Sequence, residues 1–157
     1  MKFISTLLLL TVLLLPAVVF SEEVQELWGT WINTDYDGIE YLTASAKIVF
    51  DSDPNAFRKN LKSDIGEPHG SIGWYYNTPD TKTGHESTFA IDKKWTDSEG
   101  SVWYKINYYD YKFYTIDKLL IRISNTGSIM EMMFCGLQRH SVINPNSRDY
   151  SIFYRQE

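Results

Sequence analysis

Cysteine is almost absent from this chain: Cys135 stands alone among 157 residues. No internal disulfide can form, so the fold must hold by packing, and a disulfide-stapled miniprotein is excluded. With no base beside it, that thiol reads as a small buried apolar residue on a strand. Histidine is scarce too. His69, His85 and His140 lie in loop-like surroundings without metal-ligand spacing, and neither H-x-H nor H-E-x-x-H occurs. The chain also lacks a G-x-S-x-G elbow and a phosphate-cradling loop. Asp35 and Asp37 before Gly38 match the opening of a calcium loop, but the remaining ligands do not follow. They read as turn-forming aspartates. Nothing singles out a carboxylate pair for glycoside hydrolysis. The expectation is a protein that is not an enzyme, with no catalytic residue, no metal and no cofactor.

Positive charge is in deficit, with 15 Lys and Arg against 20 Asp and Glu for a formal net charge of −5. Nucleic acid and anionic membrane surfaces both want a basic patch, so neither is expected as a partner. The run Tyr108, Tyr109, Asp110, Tyr111, Lys112 offers rings for base stacking, yet the acidic balance argues against that use. The length bounds the chain to one domain.

One long apolar stretch is present. Lys2 precedes a nearly unbroken run with Leu7 to Leu10 and Leu13 to Leu15, followed by Pro16, then Val19, Phe20 and Ser21 ahead of Glu22 and Glu23. A charged start, an apolar middle and small residues before an acidic flank predict a secretory signal peptide over residues 1–21. The mature domain is then 22–157, outside the cytoplasm, either periplasmic or secreted. Membrane contact would come only through that segment left uncleaved.

Past the leader there is no long helical periodicity, and alternation takes over. Ala46, Ile48 and Phe50 share one strand face; Val102, Tyr104, Ile106 and Tyr108 share another, opposite Trp103, Lys105 and Asn107. Further strands are predicted at Leu119 to Ser124, Ile129 to Leu137 and Tyr150 to Gln156, with weaker ones at Trp28 to Thr34, Ala56 to Lys62, Ser71 to Tyr76 and Ser87 to Trp95. Turn signals separate them at Asp37-Gly38, Asp97 to Gly100, Asp117-Lys118 and Asn125 to Gly127. Long excursions are expected only over Asn77 to Glu86 and Gln138 to Arg148. Short connections favour antiparallel neighbours, and closure hides both sheet edges. The predicted fold is all-β, an antiparallel up-and-down barrel of about eight to ten strands.

Leu27-Trp28-Gly29-Thr30-Trp31 opens the first strand, and Tyr154-Arg155-Gln156 closes the last. A G-x-W at the first strand with an Arg on the last resembles the lipocalin-like, calycin-type β-barrels, in particular the small exported bacterial ones. Gly29, Trp31 and Arg155 would then close the barrel structurally, opposite the ligand mouth. Trp31 would plug the tapered end with the Arg155 guanidinium across its ring, an attraction of roughly 0.5–2 kcal/mol. On that basis loss of Trp31 should destabilise more than loss of Arg155. The chain is shorter than long lipocalins and lacks their disulfide and C-terminal helix.

The resemblance also implies an inward face suited to a small hydrophobic or amphiphilic ligand. The candidate lining is Phe89, Tyr104, Ile106, Tyr108, Ile121 and Met133, with Ile91 and Ile123 beside them. Tyrosines add hydroxyls to apolar walls, and the Met130, Met132, Met133 cluster adds adaptability. These side chains could equally fill the barrel. The alternative function is a protein-binding module, an inhibitor or envelope adaptor, using outward aromatics such as Trp103 and Tyr109.

Overall fold

The computed structural model describes residues 24–35, 46–56, 67–75, 84–110, 115–135, 142–147 and 149–157. Residues 1–21, predicted above as a signal peptide, and Asp37, Gly38, Tyr111, Lys112 and His140 lie outside them. Eight strands follow in order: β1 (Gly29–Ile32), β2 (Lys47–Asp51), β3 (Gly70–Tyr75), β4 (Gly84–Thr96), β5 (Val102–Asp110), β6 (Thr115–Ile123), β7 (Ile129–Phe134) and β8 (Tyr150–Arg155). Each pairs antiparallel with the next, and β8 returns to β1 through Trp31↔Arg155 and Ile32↔Tyr154. The result is a closed up-and-down barrel, compatible with a calycin-like fold.

Alternation explains most of it. β5 and β6 stay in register from Val102↔Ile123 to Asp110↔Thr115, so Tyr104, Ile106 and Tyr108 face the same interior as Leu119, Ile121 and Ile123. The β4–β5 turn is held by Asp97, whose Oδ1 accepts from the backbone N–H groups of Glu99 at 2.9 Å and Ser101 at 3.0 Å. Gly100 and Gly127 supply the positive φ at this turn and at the β6–β7 turn, at 80° and 71°. Gly70 is needed for another reason. A β-carbon there would stand 2.3 Å from the Asp51 carbonyl oxygen and 3.0 Å from the Trp28 ring.

Four expectations need correction. Asp117-Lys118 is not a turn, since both residues lie within β6 opposite Tyr108 and Asn107. The excursion predicted over Asn77 to Glu86 ends early, because β4 begins at Gly84 and sets His85 opposite Trp74. Ladder pairing to β3 outweighs the polar composition, so His85 is on a strand and not in a loop. Ala56 is not a strand residue: its N–H bonds back to the Asp53 carbonyl at 3.1 Å in a turn, while residues 57–62 lie outside the described set. Met133 does not face inward. In β7 the inward positions are Met130 and Met132, and Met133 packs on the outer wall with Leu120 and Cys135.

One more feature has no counterpart in the alternation. Register shifts between Ile91 and Lys93 in the β4–β5 ladder, so Asp92 is the extra residue of a bulge and facing inverts beyond it. Lys94 comes opposite inward Tyr104, and Trp95 comes opposite outward Trp103.

The interior is one core. Trp31, Ile48, Phe50, Ile72, Trp74, Phe89, Tyr104, Tyr108 and Phe153 are all buried, with Phe50 and Phe89 edge-on at 5.6 Å. A satellite cluster outside joins Leu120, Met133 and Cys135 to Trp95, Trp103 and Ile143.

Candidate functional site

The two ends of the barrel differ in chemistry. At one, Arg155 lies over the Trp31 ring, its guanidinium carbon 4.4 Å from the centroid. Its Nε donates to the Gly127 carbonyl at 2.8 Å, one terminal nitrogen to the Trp28 carbonyl at 2.9 Å and the other to the Glu26 carbonyl. The Trp31 indole N–H donates to the Leu27 carbonyl at 3.0 Å. Gly29, at φ 116°, lets the chain turn into β1 beneath that guanidinium. Turn 24–28 is thereby clamped across the opening, and the expected closure by Gly29, Trp31 and Arg155 has a concrete geometry.

The bulge places a polar cluster at the rim of this seal. Glu26 accepts from the Tyr104 hydroxyl at 2.8 Å and from Lys94 at 3.5 Å. Burial works to raise the Glu26 carboxyl, but its own backbone N–H, Tyr104 and Lys94 together hold it below the ordinary value. Asp97 is lowered as well, first by the Trp103 indole N–H, then by the Ser101 and Glu99 N–H groups and by Arg122, which outweigh its desolvation. A lowered folded-state pKa gives stability that is complete above the unfolded carboxylate range near pH 4 and is lost as pH falls through the folded value. The urea midpoint should therefore drop on acidification below about pH 4–5. In a Glu26→Gln, Asp97→Asn double variant that acid limb should flatten; an unchanged limb would remove both groups from the account.

The opposite end is built differently. Trp74 and Tyr108 meet there with ring centroids 5.0 Å apart, tilted by 52°. Around them the inward register positions carry His85, Ser87, Asp117 and Ser151, the last three buried. Ser87 Oγ is committed to the Tyr109 carbonyl at 2.6 Å. Trp74 is 2% exposed, and its indole N–H has no acceptor among the described residues. A buried donor left so costs about 1–3 kcal/mol.

Of the candidate lining, Phe89, Tyr104, Ile106, Tyr108 and Ile121 are inward and buried, and Met133 is not among them. They do not form one site. Tyr104 belongs to the sealed end through Glu26, while Tyr108 stands with Trp74 at the other. Trp103 and Tyr109 are on the outer wall as expected, and Trp103 stacks on Trp95 at 5.5 Å and 14°. Its indole donates to Asp97 Oδ2 at 2.7 Å, so it is a fixed part of that wall. Sequence reasoning missed Trp74, although Ile72 and Trp74 alternate on one face of β3 and could have flagged it. Among the described residues no three His, Cys, Asp or Glu side chains converge as a metal-binding group. Comparisons with protein-family models, curated proteins and solved structures find no match to this chain.

Proposed function

We propose that this chain is an exported, lipocalin-like barrel protein, not an enzyme, that takes one small amphiphilic molecule at the Trp74 end of its interior. The observation that carries the reading is the Trp74 indole N–H, buried beside Tyr108 with no acceptor among the described residues. A phenylalanine there would supply apolar packing without the orphaned donor. Keeping the indole suits a ligand that brings the missing acceptor, such as a carbonyl, ether or hydroxyl oxygen. Tyr108 offers ring surface for the apolar part, with Ile106 and Ile121 deeper in the core, while Phe89 packs on Trp28 and Phe50. Arg155 and turn 24–28 close the other end, so the ligand sits at the Trp74 end.

A naphthyl ketone dye whose emission reports its surroundings tests this, because it carries an acceptor on an apolar body. It should bind the folded protein with one-site saturation and be displaced by small amphiphiles. Trp74→Phe should weaken binding about three- to tenfold, the worth of one net hydrogen bond, while leaving stability equal or higher. Tyr108→Ala should weaken binding at least as much as it weakens the fold. Unchanged affinity in Trp74→Phe, or no saturable binding by folded protein, would sink the reading.

A further inference from the structure

We infer that the outer wall of β6, β7 and β8 carries a second binding site, which receives a lysine or arginine side chain of a protein partner. A surface depression of about 310 Å³ opens there, lined by Arg122, Ser124, Ile129, Glu131, Ile152 and Tyr154. These residues meet because of the ladders: Arg122 pairs with Glu131, Glu131 with Ile152, and Ile129 with Tyr154. The volume stands at the bottom of the range of small-molecule sites, about 300–1,000 Å³. It fits one long side chain better than a whole ligand.

Charge decides which side chain. Arg122 is held on three sides, its Nη2 2.6 Å from Glu99, Nη1 3.1 Å from Glu131 and Nε 3.6 Å from Asp97. Its guanidinium also lies 5.6 Å from the Trp103 ring centroid. Three carboxylates around one cation leave this corner of the wall negative, with Arg122 already ion-paired and unsuited to an incoming anion. Glu131 faces the depression, steadied by the Tyr150 hydroxyl at 2.9 Å. Burial first, and then Glu131 beside it, push that hydroxyl up, so it stays a donor.

The apolar half of the depression fits the same guest. Tyr154 is 41% exposed and Ile129 38% exposed, the kind of half-open ring and alkyl surface that an aliphatic stem covers. A cationic head beyond the stem gains from the ring face and from Glu131. A second copy of this chain is the poorer occupant. With a net charge of −5 overall, a symmetric contact through this wall would set carboxylates against carboxylates.

Capped tripeptides with lysine, norleucine or glutamate at the centre test this, titrated against the folded protein by NMR. The lysine peptide should shift Ile129, Ile152 and Tyr154 resonances and saturate in the millimolar range, as expected of one side chain. Norleucine, equal in shape but uncharged, should bind about three- to fivefold more weakly, the worth of a partly exposed ion pair. Added salt should narrow that gap. Glu131→Gln should abolish it, and Tyr154→Ser, at a half-exposed position, should weaken both peptides. Equal binding of lysine and norleucine overturns the charge assignment. Stronger binding of glutamate, no saturation, or shifts centred on Trp74 overturn the site. Trp74→Phe should leave these titrations unchanged, which separates them from the interior ligand.

Discussion

Trp31→Ala should destabilise the barrel by about 3–5 kcal/mol, the range for truncating a buried aromatic. The side chain is fully buried, and nothing beneath it can collapse into the space, since Arg155 and the clamped turn 24–28 lie across it. β1 is only four residues long, and two pairs with β8 close the sheet there. Truncation thus removes packing and also the Trp31 to Leu27 hydrogen bond that holds the turn. Trp31→Phe, which keeps most of the area and loses the donor, should fall between wild type and alanine. Urea melts monitored by circular dichroism read both. A change for Trp31→Ala within about 0.5 kcal/mol, the range of surface substitutions, would mean that Trp31 does not anchor the closed end.

Much of this fold could be read from the chain because alternation survives in most strands. Val102, Tyr104, Ile106 and Tyr108 were assignable to one face from spacing alone, and the structure places them together. Parity, however, is carried along a strand only until a bulge. Asp92 interrupts β4, so Lys94 enters the barrel and Trp95 leaves it, and nothing in Ile91-Asp92-Lys93-Lys94 announces the change. Met133 failed for a related reason: three methionines in four positions looked alike as ligand surface, while only Met130 and Met132 share the inward parity. The candidate site was less legible than the fold. Whether the Trp74 N–H finds an acceptor depends on partners brought by other strands, and the Arg122 cluster draws on Asp97, Glu99 and Glu131 from the β4–β5 turn and β7. Such contacts have no period.

Arg155 shows the same gap between motif and geometry, and it changes an expected magnitude. As a cation over a tryptophan ring, its loss should cost roughly 0.5–2 kcal/mol, less than loss of Trp31. The structure gives it a larger task. All three guanidinium nitrogens donate to backbone carbonyls, on Gly127 in the β6–β7 turn and on Glu26 and Trp28 ahead of β1. One planar group thus ties together the turn before β1, the start of β1 and a turn on the far side of β8. Hydrogen bonds to a charged group are worth about 1.5–3 kcal/mol each when broken, though these carbonyls lie near a rim where water can partly replace the donor. Arg155→Ala should therefore cost about 3–4 kcal/mol, comparable to Trp31→Ala. Arg155→Lys should recover less than half of that, because a single ammonium cannot reach three divergent carbonyls while its stem covers the indole. The two sites share the same clamp, so Trp31→Ala and Arg155→Ala together should cost about 1–2 kcal/mol less than their sum. A double-mutant cycle in urea reads that coupling. Strict additivity, or a lysine that restores wild-type stability, would reduce Arg155 to the stacked cation that the motif alone suggests.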